Sequence, residues 1–221
     1  MTSFLTIFKR ELLINYKKLS NFIINTFFFF LGILIFIFSL GPDSVLISNF
    51  SSSIIWTIIL FCIILGVDQF FSDDYHDGSL KELLSIGYST EIIVLSKILV
   101  MWIYLIFPIL LTSPILLVIM QIGFLDYFIL ILSIALGTPS LLLISSSAVL
   151  LTIQSNQNKL ILLLLVFPFY IPTLIFGVSN SSSLLDSDNF FMNFFILIAI
   201  FLITLPITLI SNKLAIEELN R

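Results

Sequence analysis

Apolar and polar positions along this chain are segregated into long blocks rather than alternating residue by residue. Charge-free intervals run from Leu19 to Pro42, Ser44 to Val67, Ile98 to Leu125, Tyr127 to Asn158, Leu160 to Leu185 and Asn189 to Asn212, each 24 residues or longer. About 20 helical residues cross roughly 30 Å of hydrocarbon, so the pattern predicts six transmembrane helices. They are placed near 22–40, 52–71, 98–121, 128–153, 160–178 and 190–210, within one transmembrane domain covering 1–221.

Ahead of the first interval, Phe4, Leu5, Phe8, Leu12, Tyr16 and Leu19 recur with a helical period, opposite Ser3, Lys9, Arg10 and Lys17. This pattern predicts an amphipathic interfacial helix over 1–19, its apolar face in the acyl boundary and its cations toward anionic headgroups. Lys9, Arg10, Lys17 and Lys18 interrupt the segment and no small-residue cleavage site precedes the first apolar run, so the first span is expected to stay in the mature protein. Pro108, Pro114, Pro139, Pro168, Pro172 and Pro206 fall inside the later spans. Each frees a carbonyl that a packed neighbour, a hydroxyl or water must satisfy, and kinks inside a bundle are expected.

The longest polar stretch, from Asp68 to Lys97, breaks the apolar pattern between the second and third spans. Within it Ser79-Leu80-Lys81-Glu82 reads as a capping box, Asp77 adds negative charge at the positive end of the dipole, and Gly87 supplies a left-handed stop after Ile86. Two helical turns do not hold alone in water, so this helix needs a partner surface. Leu80, Leu83 and Leu84, at i, i+3 and i+4, form its apolar face.

Composition sharpens the class. A mean hydropathy of +1.21, with 59% hydrophobic and only 10% charged residues, marks an integral membrane protein. All nine Lys and Arg fall in the amino-terminal segment, the 68–97 loop, the turn near Lys159 and the carboxyl end. The positive-inside rule then puts both termini and that loop in the cytoplasm, or in the matrix of a mitochondrion, with Gly41 to Asp43, Gly123 to Asp126 and Ser179 to Asn189 opposite. No basic field for nucleic acid exists.

Candidate chemistry is mostly excluded. Cys62 is the single cysteine and His76 the single histidine, so an internal disulfide, a CxxC redox pair and a multi-histidine metal site are ruled out. Cys62 reads as a packed, inert thiol and His76 as a contact or capping residue. Asp73, Asp74 and Asp77 lack the spacing and final glutamate of an EF-hand and read as an acidic docking surface. Neither GxSxG nor GxxxxGK[ST] occurs, so any ATP chemistry belongs to another chain. The six charge-free intervals carry no Asp, Glu, Lys, Arg or His for proton or ion coupling. Trp56 and Trp102 are placed in the aromatic belts, toward the outer and inner interfaces.

The segment DQFFSDDYHDGSLKELL, followed by SKILVMWIYLIFPILLTSPILL, ALGTPSLLLISSSAVLLT and LLLLVFPFYIPTLIFGV, resembles the haem exporter protein B family of the cytochrome c maturation system, in order and spacing. The resemblance implies an all-α, ABC-2-like permease bundle in the bacterial inner membrane or the mitochondrial inner membrane, present as two copies beside a separate ABC ATPase subunit that carries ATP-Mg. It also implies a haem-handling membrane partner and a haem chaperone, with ATP hydrolysis driving haem export or release of the loaded chaperone. The chain itself is expected to bind no haem and no metal, the family's tryptophan-rich haem motif belonging to a partner. Asp73, Asp74, Asp77, Gly78, Ser79, Leu80, Glu82, Leu83 and Leu84 are candidates for coupling to the ATPase. Gly137, Thr138, Pro139, Pro168, Tyr170 and Pro172 are candidates for a transmembrane path or gate. A permease for a polysaccharide, lipid or drug, and a non-transporting structural subunit, are the competing readings.

Overall fold

The computed structural model describes residues 2–16, 19–41, 43–153, 159–182 and 187–219, and all regular structure among them is helical. Helix α1 (Thr2–Tyr16) is followed by α2 (Leu19–Leu40) and α3 (Ser44–His76). Gly41, at φ 77°, ends α2 by donating its N–H to the Ile37 carbonyl, and Asp43 opens α3 by accepting from the Val45 and Leu46 amides. A left-handed stop and a side-chain cap thus turn the chain back within a few residues. Pro42, between them, lies outside the described residues, as do the expected turn at 154–158 and part of the connection at 183–186.

Helix α3 does not stop near 71 as the hydrophobic pattern suggested; it continues through Asp73 and Asp74 to His76. Its polar end stays helical because Phe70 and Phe71 are buried against the rest of the chain. The short α4 (Ser79–Ser85) and the longer α5 (Thr90–Leu105) follow, so much of the expected 68–97 loop is helix.

The third span, expected as one helix, is three: α5, α6 (Phe107–Thr112) and α7 (Pro114–Ile119). Pro108 and Pro114 sit in the first turns of α6 and α7, where the missing N–H has no intrahelical acceptor to lose. The carbonyl of Leu110, freed by Pro114, accepts from the Ser113 hydroxyl at 2.6 Å, and the Thr112 hydroxyl donates to the Pro108 carbonyl at 2.7 Å. Pro139, Pro168, Pro172 and Pro206, by contrast, lie within helices that continue past them: α8 (Phe124–Thr152), α9 (Lys159–Ser182) and α10 (Ser187–Leu219).

Five stretches are long and apolar enough to cross a membrane: Ile23–Leu40, Ser44–Tyr75, Thr90–Thr112, Phe124–Thr152 and Phe191–Glu217. The remaining expected span falls on α9, where Val166–Ser179 is a shorter apolar stretch. Helix α8 is the central strut, packed on α3, α5, α9 and α10, and Leu141 to Leu150 is buried throughout. Helix α2 packs on α3, and α1 lies along α5. Glycine sets the closest approach of α3 to α5: a Cβ on Gly66 would stand 2.5 Å from Leu105 Cδ2.

Candidate functional site

Helix α4 forms because glycines bound it on both sides. Gly78, at φ 73°, is the residue before the first turn, and Gly87, at φ 95°, follows the last. At the carboxyl end the Gly87 N–H donates to Leu84 (3.0 Å) and the Tyr88 N–H to Leu83 (3.4 Å), the paired bonds of a Schellman motif. The stop predicted at Gly87 is therefore present. The capping box is not: the helix starts one residue earlier, and the Ser79 hydroxyl points back to the Asp74 carbonyl at 3.4 Å rather than to Glu82.

The apolar face of α4 also lies elsewhere than expected. Leu80 is buried in the main core, Leu83 packs with Ile7 of α1 and Ile93 of α5, and Leu84 is half-buried against both groups. This face is the means by which a two-turn helix is held on its own chain, so it is closed to a partner. Exposed instead are Asp77, Lys81, Glu82, Ser85 and Ile86, with Asp73, Gly78 and Ser79 half-exposed. Asp74 is turned inward.

Asp74 belongs to a buried ionic cluster that joins three helices. Lys97 of α5, only 2% exposed, pairs with Asp74 at the end of α3 and reaches Glu11 of α1 at 3.5 Å. Arg10 neutralises the second carboxylate, its Nη1 donating to Glu11 at 2.7 Å. The Lys97 ammonium also lies 5.4 Å from the Phe71 ring centroid, over its face. Two carboxylates and two cations balance, which is what burial of charge requires.

Helix α1 is consequently not the simple amphipathic helix its apolar period suggested. Its buried stripe is Ile7, Glu11 and Asn15, while Leu5, Leu13 and Tyr16 are exposed. Asn15 donates to the Glu11 carbonyl (2.9 Å) and the Tyr104 hydroxyl of α5 donates to Leu12 (2.8 Å). Sequence reasoning missed Glu11 and Lys97 as a pair. The available signal was a lone acid among four cations, set at i+4 from Ile7 and i−4 from Asn15.

The six path-or-gate candidates divide. Gly137, Thr138 and Tyr170 are fully buried, Pro139 is half-buried, and Pro168 and Pro172 are exposed on α9. Gly137 of α8 and Gly177 of α9 make room for the indole of Trp56 of α3, to which their added Cβ atoms would stand 2.6 and 2.4 Å away. Trp56 is 0% exposed, with no hydrogen-bond partner for its Nε1. It therefore lies in the bundle core, not in an outer aromatic belt, because the two glycines open a slot of indole width. Trp102 is half-buried, its Nε1 donating to Thr138 Oγ1 at 3.0 Å. Tyr170 reaches across to α8, bonding the Ser145 hydroxyl and donating to the Leu141 carbonyl at 3.2 Å. Cys62 is buried, as its apolar context suggested.

Among the described residues no group of three or more His, Cys, Asp or Glu is placed to hold a metal. What the arrangement can do is mechanical. Polar and charged contacts tie α1, α3 and α5 at one end of the bundle, and a tryptophan wedge sets α3 against α8 and α9 within it.

These features define a multi-pass helical membrane protein with a structured polar end. A family model described as CcmB protein matches residues 2–218, and the chain belongs to that family. Among the relatives, the heme exporter protein B of Haemophilus influenzae is 35% identical over 176 residues, 80% of each chain. The heme exporter protein B of Pseudomonas aeruginosa is 31% identical over 68% of this chain and 67% of its own, and that of Bradyrhizobium diazoefficiens is 27% identical over 94% of both.

Proposed function

We propose that this chain is the permease subunit of an ABC-type haem exporter serving cytochrome c maturation, in the bacterial inner membrane, with ATP hydrolysed on a separate subunit. The observation that carries the coupling part of the reading is α4. It is a short helix locked onto its own core through Leu80 and Leu83, fixed at both ends by glycine, and presenting Asp77, Lys81 and Glu82 outward. A block of this kind passes a push on its outer face into α3 and α5 without deforming, because packed interiors are stiff.

In this reading the ATPase docks on the outer, charged face of α4, and both termini share that cytoplasmic side. Two permease copies, a haem-handling membrane protein and a haem chaperone complete the assembly, and the energy drives export of haem or release of the loaded chaperone. The slot occupied by Trp56, with Gly137, Thr138 and Tyr170 around it, is the place where α3, α8 and α9 separate or close.

The test is co-purification in mild detergent with mass spectrometry and an ATPase assay, on wild type and on Lys81→Glu/Glu82→Lys. These two side chains are exposed, so the variant leaves the fold intact. An ATPase and haem-handling partners accompanying wild type, with the ATPase lost from the variant, is the expected result. An ATPase accompanied by glycan- or lipid-handling proteins removes the haem assignment, and absence of any ATPase removes the permease reading.

A further inference from the structure

The polar end of the bundle holds two separate ties between α1 and the segment that carries α4. One is apolar, Ile7 of α1 against Leu83 of α4 and Ile93 of α5. The other is ionic, Glu11 of α1 to Lys97 of α5, and Lys97 in turn to Asp74, three residues before Asp77 at the α3–α4 turn. Buried ion pairs are poor sources of net stability, because desolvation offsets their attraction, yet they fix geometry since each partner is left stranded if the others move. A cluster of four charges where apolar packing would serve is thus a positional device.

We propose that Lys97 is a positioning residue for coupling: it keys α1 to the α3–α4 turn so that the amino-terminal helix moves with α4 as one body. Helix α1 is then a working part of the transmission and not a passive membrane anchor. The slack it removes is specific. Without the ionic tie, α1 meets α4 through the apolar packing of Ile7 with Leu83 and Leu84, contacts that let one helix slide along another, and keeps the Tyr104–Leu12 bond to α5, whereas Glu11, Lys97 and Asp74 together fix the register. The exposed pair Lys213–Glu91, which joins α10 to α5 at 3.2 Å, lies outside this body and has no such role.

The coupling part rests on the permease reading above; the keying of α1 to α4 does not. The experiment places spin labels on α1 and α4 through Lys9→Cys and Lys81→Cys, both exposed positions, and measures the inter-label distance distribution in the full-length chain with its co-purified partners. Glu11→Gln cuts the α1 tie with little change of shape and leaves Lys97 on Asp74. Glu11→Leu/Asp74→Leu/Lys97→Met replaces the whole cluster by apolar groups. Lys97→Arg keeps the charge, and Lys213→Gln is the control outside the cluster.

The expected result is that Glu11→Gln and the triple variant broaden the α1–α4 distribution at least about twofold, and that partner-dependent ATP turnover falls about tenfold while the ATPase stays bound. Lys97→Arg and Lys213→Gln retain both. A narrow, wild-type distribution in Glu11→Gln overturns the keying, and this variant decides the matter even where the triple variant does not fold. A broadened distribution with full ATP turnover overturns the coupling role alone. Absence of an ATPase from the wild-type preparation overturns the permease reading, while the distances still decide whether α1 and α4 are keyed.

Discussion

The Trp56 indole occupies the space that a side chain on Gly177 would need: a Cβ there would stand 2.4 Å from Trp56 Cζ2 and 2.5 Å from Cε2. Both contacts are far below van der Waals distance, and a Cβ on Gly137 would stand 2.6 Å from Cη2 of the same ring. Neither glycine is needed for backbone freedom, since both lie within regular helix. Small residues at such crossings are how helices approach closely where lipid offers no hydrophobic drive.

Gly177→Ala is therefore expected to destabilise the bundle by about 1–3 kcal/mol through overpacking. Trp56→Phe, which vacates part of the slot, should relieve the clash in the double variant. The measurement is a thermal-melting double-mutant cycle in detergent, with a coupling well outside the additivity expected of independent sites.

The Trp102–Thr138 bond offers a finer test. Thr138→Val keeps the shape and removes the acceptor, leaving an indole N–H unpaired, at a cost of about 1 kcal/mol. Thr138→Ser should sit close to wild type. Trp102 fluorescence reports the same event, with a shift in Thr138→Val and none in Thr138→Ser.

For the buried cluster, Lys97→Met strands Asp74, while Glu11 keeps Arg10, and should cost about 3–5 kcal/mol, the usual penalty for breaking a buried pair. Removing the exposed Lys213–Glu91 pair should cost about 0–1 kcal/mol. Salt separates them further. Raising ionic strength from about 0.05 to about 0.5 M should abolish the small effect of Lys213→Ala and leave that of Lys97→Met nearly unchanged.

At Gly87, φ 95° lies in the region that side chains avoid. Gly87→Ala should cost roughly 1 kcal/mol, spent locally on the end of α4. Hydrogen exchange is the measurement: amides of α4 should exchange several-fold faster, while those of α8 keep the wild-type rate.

Much of this was legible in the sequence. The lengths of the charge-free blocks placed most of the long helices, and Gly87 marked the end of α4, because both signals are local. The division of the third span at Pro108 and Pro114 was signalled by the prolines, but Pro139 carries the same signal inside a continuous helix, so the residue alone does not say which occurs. The position of Trp56 was illegible, since only the crossing of three helices brings Gly137 and Gly177 to it. Lys97 read as a loop cation because its partners lie 23 and 86 positions away. The face of Leu80 and Leu83 was recognised as apolar, but periodicity cannot say whether such a face meets the same chain or another one.

The length of α3 sets a standoff. Its charge-free part ends at Val67, and the helix runs nine further residues to His76, which at 1.5 Å per residue is about 13 Å. A headgroup layer is roughly 5–8 Å deep on each side of the hydrocarbon. A hydrocarbon boundary at Val67 therefore puts the end of α3 and the α3–α4 turn at or beyond the headgroups, within reach of water-soluble groups.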